Sequence, residues 1–164
     1  MRIRPMNNAN STAKPVDVTR KIEKRWGPAL TASGWTAIPN VIFRRQNAFG
    51  LSPLDLNIIL QLAAYWWEPG NLPRPSKSTI AMAIGVTPRT VQKRIAAMEA
   101  AGFLKRVERR TSRNGSAPNQ YDFAGLIAAA QPFALEELQE IARRKKEKAE
   151  KQARKRPRLS VVKG

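Results

Sequence analysis

The sequence predicts a mainly α fold with one small β-hairpin, and three observations predict it. Helical patterns over residues 76–84 and 87–101 are separated by only Gly85 and Val86. A longer helical pattern, SPLDLNIILQLAAYWW, precedes them and opens with the residues of a capped helix start. After them come two strand-like stretches, FLKRVERR (103–110) and NQYDF (119–123), separated by the turn-rich TSRNGSAP. A chain of 164 residues suits one core plus tails rather than two full domains.

Taken in order, residues 1–24 are polar, rich in Asn, Ser, Pro and Lys, and read as a flexible arm. Core material begins near Trp26, and GWTAIPNVIF (Gly34 to Phe43), punctuated by Pro39, predicts an extended piece leading into a turn or short helix. In the next helix Ser52 can cap, Pro53 suits the first helical position, and Asp55 completes a capping box. Leu54, Ile58, Ile59, Leu62 and Trp66 recur at helical spacing as a core face, and EPGNLPRP ends the helix. Ser76 can cap a short helix with Ile80, Ala83 and Ile84 inward, stopped by Gly85 in a left-handed conformation. Thr87 caps the following helix, Pro88 starts it, and Val91, Ile95 and Met98 form its buried stripe until Gly102 closes it.

Helices joined this tightly cross steeply, which small Ala81 and Gly85 permit; the pattern is a helix-turn-helix. A hairpin directly after its second helix is a wing, so the predicted unit is a winged helix-turn-helix domain with flexible basic tails. Beyond it Leu126, Ile127 and Ala130 pack back, and Pro132 introduces a last helix striped by Leu135, Leu138, Ile141 and Ala142. The expected organisation is therefore an arm over 1–24, the winged domain over 25–131, a C-terminal helix over 132–152 and a basic disordered tail over 153–164. Either the N-terminal or the C-terminal helices could join two copies in a homodimer.

Charge and composition narrow the function classes. Lys and Arg number 30 against 12 Asp and Glu, a net +18 that calls for a polyanionic partner, by default nucleic acid. Residues 143–164 hold eleven of these basic residues against two glutamates, so half of the net charge sits there. No segment reaches the roughly 20 apolar residues of a spanning helix, and no apolar run follows the first arginines as in a secretory signal, so the expected location is the cytoplasm. Cys and His are both absent, which removes thiol and imidazole nucleophiles and the usual zinc ligands. Asp17, Glu23, Asp55, Glu68, Glu99, Glu108 and Asp122 are scattered rather than paired at metal-ligand spacing, so neither an enzyme nor a cofactor is expected.

With Val91, Ile95 and Met98 inward, Arg89 and Lys93 fall on the opposite face of their helix, Thr90 beside them and Gln92 and Arg94 on the flanks. These are side chains that direct readout of base edges uses; the same set also suits a plainly solvated face. Ser76, Lys77 and Ser78 at the preceding helix start could hold a phosphate, although Ser76 could equally serve only as the cap. The hairpin carries Lys105, Arg106, Arg109, Arg110 and Arg113 against Glu108, with Asn114 in its turn and Arg113 at the tip. Such a wing could follow the DNA backbone or the minor groove, or be basic only to protect its edges. The tail can add phosphate contacts without sequence preference, or stay solvated. Base stacking by Trp26, Trp35, Trp66, Trp67 and Tyr65 is the lesser alternative to packing.

The stretch TIAMAIGVTPRTVQKRIAAMEAAGFLKR, followed by NQYDF, resembles the helix-turn-helix and wing of winged helix-turn-helix proteins from bacteria, phages and plasmids, close to the pattern of the GntR and MarR-like regulators. The upstream GWTAIPNVIF and LSPLDLNIIL also look like helix-turn-helix proteins associated with plasmid and phage replication or accessory regulation. The resemblance spans about residues 34–127. It implies double-stranded DNA as partner, a nucleoid-associated location, Thr87 and Thr90 on phosphates or bases, and Arg89, Gln92 and Lys93 facing the groove. Gln92 stands where GntR-like regulators often carry Arg, so their base preference does not carry over. The implied role is a transcriptional regulator, with a plasmid or phage replication or partition factor binding origin repeats as the alternative.

Overall fold

The computed structural model describes residues 15–111 and 115–155. Seven helices and a hairpin run in the order α1 (Pro15–Trp26), α2 (Pro28–Ala32), α3 (Asn40–Arg44), α4 (Pro53–Ala63), α5 (Lys77–Ile84), α6 (Pro88–Ala100), β1 (Lys105–Thr111), β2 (Gly115–Asp122) and α7 (Ala124–Lys155). This is a mostly helical winged helix, as the sequence predicts.

Two boundaries are corrected. Residues 15–24 belong to α1 rather than to a flexible arm. Proline at the first helical position preorganises the turn, and Val18, Ile22 and Trp26 recur every four residues, a stripe masked by the charged residues between them. Pro132 does not begin a separate helix but lies inside the 32-residue α7. It lacks the amide that would bond the carbonyl of Ala128, and its ring crowds that turn. Burial of Leu126 and Ala130 before it and packing of Phe133 and Ala134 after it hold the helix continuous across the defect.

The caps form as the residue types require. Ser52 Oγ accepts from the Asp55 amide while the Asp55 carboxylate accepts from the Ser52 amide, closing the capping box of α4. Ser76 and Thr87 cap α5 and α6 in one pattern, each hydroxyl accepting the amide three residues on. Between them Gly85 takes a φ of 80°, the left-handed conformation that a side chain resists.

One core joins α3 to α7. Ile58 and Leu62 of α4, Ile80 of α5, Val91 and Ile95 of α6 and Leu126 of α7 are almost completely buried, each contributing roughly 1.5–3 kcal/mol against exposure. Ala81 is buried, and its small side chain suits close approach of α5 to α6. Ala83, expected inward, is exposed, and Ile84 supplies the packing at that end. Phe49 meets Phe103 and Phe133 edge-on at 6.0 and 5.2 Å, and Trp66 stacks on Phe123 at 5.5 Å, so Trp66 packs rather than awaiting a base. Trp67 is exposed and stacks on Tyr65.

β1 and β2 pair antiparallel, with Lys105 opposite Asp122, Arg106 opposite Tyr121 and Val107 opposite Gln120, and a bulge between Val107 and Arg109. The α4–α5 connection lies against this hairpin: the Tyr121 amide donates to the Pro73 carbonyl at 3.0 Å. At the same end of the hairpin, the Leu126 amide donates to the Phe103 carbonyl at 2.9 Å and docks the start of α7 beside Gly102.

Candidate nucleic-acid interface

The face of α6 follows from what anchors its back. Val91, Ile95 and Met98 are buried, so Arg89, Gln92 and Lys93 emerge on the exposed side of the 13-residue helix, with Thr90 half-buried next to them. Neither Arg89 nor Lys93 has a carboxylate partner among the described residues, so both cations remain available to a ligand. Ala96, passed over in reading the sequence, continues this exposed face one turn on; its methyl group lets another surface come near the helix backbone. Helical spacing from Arg89 and Lys93 is the signal that would have found it.

Arg94 departs from the expected set. Its guanidinium turns inward, where Nε donates to Asp55 Oδ1 at 2.7 Å and Nη2 donates to Asp55 Oδ2 and, at 3.2 Å, to Ser52 Oγ. Asp55 is fully buried, whereas the Arg94 side chain is 34% exposed. Burial pushes the Asp55 carboxyl up, but bonds from Arg94 and then Ser52 outweigh it and hold the group below the usual carboxylate range. Arg94 therefore ties α6 to the capped start of α4.

The predicted residues of α5 meet those of α6. Lys77 and Ser78 are exposed at the α5 start, and Lys77 Nζ donates to Gln92 Oε1 at 3.0 Å across the motif. Ser76 and Thr87 both act as caps, and each hydroxyl also shares a hydrogen bond with the threonine three residues on, Thr79 at 2.8 Å and Thr90 at 2.9 Å.

The wing is oriented by a second ion pair. Glu99, near the end of α6, accepts from the Arg106 amide at 3.0 Å and from Arg106 Nε at 2.6 Å, so Arg106 serves the wing's base. The Arg106 side-chain bond, then its amide bond, hold the Glu99 carboxyl below its usual range. Lys105 is exposed beside it. Arg109 and Arg110 lie in β1 opposite Ala117 and Ser116. Arg113 and Asn114 lie outside the described residues. No group of three or more Asp or Glu that could hold a metal occurs among the described residues, and no helix there is long and apolar enough to cross a membrane.

Among solved structures, the chain is similar to a possible transcriptional regulator from Methanosarcina mazei Go1, at 18% identity and a TM-score of 0.39 over 66% of this chain and 85% of that one. No curated protein matches the chain. Residues 50–104 match the family model of the helix-turn-helix domain, a span that takes in α4, α5 and α6 and stops where the wing begins.

Proposed function

We propose that the protein binds double-stranded DNA with sequence preference, as a transcriptional regulator, with α6 in the major groove and the hairpin on the backbone or minor groove. The observation that carries this is the set of donors Arg89, Gln92 and Lys93 exposed on a helix whose opposite face is anchored by Val91, Ile95 and Met98. The net charge of +18 supplies attraction to phosphates whatever the sequence. Ser76, Ser78, Thr87 and Thr90 flank the reading set and would position it on the backbone, while Lys77 reaches the reading set itself through Gln92; Arg109, Arg110, Arg113 and Asn114 would position it from the wing.

A mobility-shift titration against selected and random duplexes tests the reading. Arg89→Ala should weaken the preferred site by about 1–3 kcal/mol and leave random duplex nearly unchanged. Neutralising lysines of residues 145–151 should instead weaken all sequences alike and flatten the salt slope by about 0.9 per lost phosphate contact. Equal affinity for every duplex would end the proposal of specific readout.

A second copy of the chain is the partner we propose for α7. Ile127, Leu135, Leu138 and Ile141 are 44–62% exposed along it. An antiparallel pair crossing at Leu138 sets Leu135 against the partner's Ile141 and sends the two basic ends apart, whereas a parallel pair would lay like charges side by side. Sedimentation equilibrium should find a dimer that Leu138→Glu converts to a monomer; a native monomer at the same concentration would remove this contact.

A further inference from the structure

The hydrogen bond between Lys77 and Gln92 decides more than the packing of two helices. An ammonium group only donates, so its partner on Gln92 has to be the carbonyl oxygen, Oε1, and the amide is thereby oriented with its NH2 directed away from Lys77. Arg89 and Lys93, on the same exposed face, carry donors and no acceptor. The Thr90 hydroxyl is already engaged with that of Thr87. What Lys77, Arg89, Gln92 and Lys93 present together is a set of N–H donors.

Resting on the reading that α6 enters the major groove, we propose that Lys77 is a specificity-determining residue that turns Gln92 from an adenine reader into a guanine reader. A glutamine recognises adenine by two bonds at once, its amide nitrogen donating to N7 and its oxygen accepting from the N6 amino group. Here that oxygen is held by Lys77. Its second lone pair could still accept, but the approaching adenine amino group would meet the ammonium, donor against donor. Guanine offers N7 and O6, two acceptors and no donor on that edge, so the Gln92 amide and the Lys77 ammonium can both be satisfied by it. Lys77 lies on a different helix from Gln92, and the choice of base at this position is therefore set from outside α6.

Selection from random duplexes by the full chain, its Lys77→Met variant and its Gln92→Ala variant tests this. Methionine keeps the length and apolar stem of lysine and removes the donor, and circular dichroism checks that the helices persist. Gln92→Ala locates the base pair concerned, as the one position at which preference is lost. The native chain is expected to select guanine there, and Lys77→Met to move the preference to adenine by roughly tenfold in relative affinity, with the other positions unchanged. Selection of adenine by the native chain would overturn the proposal while leaving duplex readout standing. So would a Lys77→Met variant that keeps guanine, weakens every sequence alike and lowers the salt slope, since Lys77 would then be a phosphate contact. Enrichment of no sequence by the native chain would overturn both this proposal and the reading beneath it.

Discussion

Replacing Arg94 by methionine is expected to destabilise the protein by about 3–5 kcal/mol, because the Asp55 carboxylate would be left buried with no counter-charge. The reverse deletion should cost less. In Asp55→Ala the guanidinium of Arg94, already one-third exposed, can turn into water, so the main loss is the capping box, about 1 kcal/mol, plus the pair's own modest net contribution. The double variant should recover most of the Arg94→Met loss, since an apolar pair in place of a buried ion pair is often neutral. The pH dependence separates the variants further. In the native protein the Asp55 carboxyl is depressed, so its contribution is complete above the unfolded value near ~3.9 and is lost as pH falls through the lower folded one. In Arg94→Met the bond that most lowers the group is gone while burial and the Ser52 bonds stay, so the folded value moves up from the native one and stability should fall less steeply as pH is lowered. The chain contains no histidine to obscure that window. Urea midpoints at several pH values read both slopes, and equal slopes in the two proteins would refute the assignment.

The Gly125→Ala variant should lose about 3 kcal/mol, at the upper end of the overpacking range, and melt roughly 10 °C or more lower. A Cβ built at Gly125 overlaps the carbonyl oxygen of Gly102. That neighbour is main chain, with no rotamer to change, and Gly102 is itself held at a φ of 78° in the turn between α6 and β1. Helix propensity works the other way, favouring alanine by ~1 kcal/mol, so packing outweighs it. Relief requires the start of α7 to withdraw, and the bond from the Leu126 amide to Phe103 should be the first to weaken. Faster exchange of the Leu126 amide together with the lower melting temperature would identify the cause; a melting temperature at or above the native one would show that the contact yields easily.

The parts of this fold legible in the sequence are those governed by neighbours along the chain. Ser52 with Asp55, Ser76, Thr87, Gly85 and the Val91, Ile95, Met98 stripe depend on spacings of three or four residues, and the helices they imply form. What depends on distant partners was not legible. Arg94 sits on the flank of α6, where periodicity leaves its direction open, and its acid lies 39 residues upstream in a role that capping had seemed to exhaust. The same limit applies to Lys77 and Gln92, whose link needs the crossing of two helices. Pro132 misled for the opposite reason: the local rule is sound, but packing on both sides outweighs it.

The bond from Tyr121 to Pro73 has a consequence for how the chain meets its own kind. It sets Pro73, which lies between Leu72 and Pro75 in the chain, against the outer edge of β2 at Tyr121. Pro73 and Pro75 have no amide hydrogen, so a strand arriving from another molecule would find carbonyls there but too few N–H groups to build a ladder. Beside Tyr121 a further strand is therefore disfavoured, and copies of the chain brought close together gain no sheet-to-sheet pairing at that point.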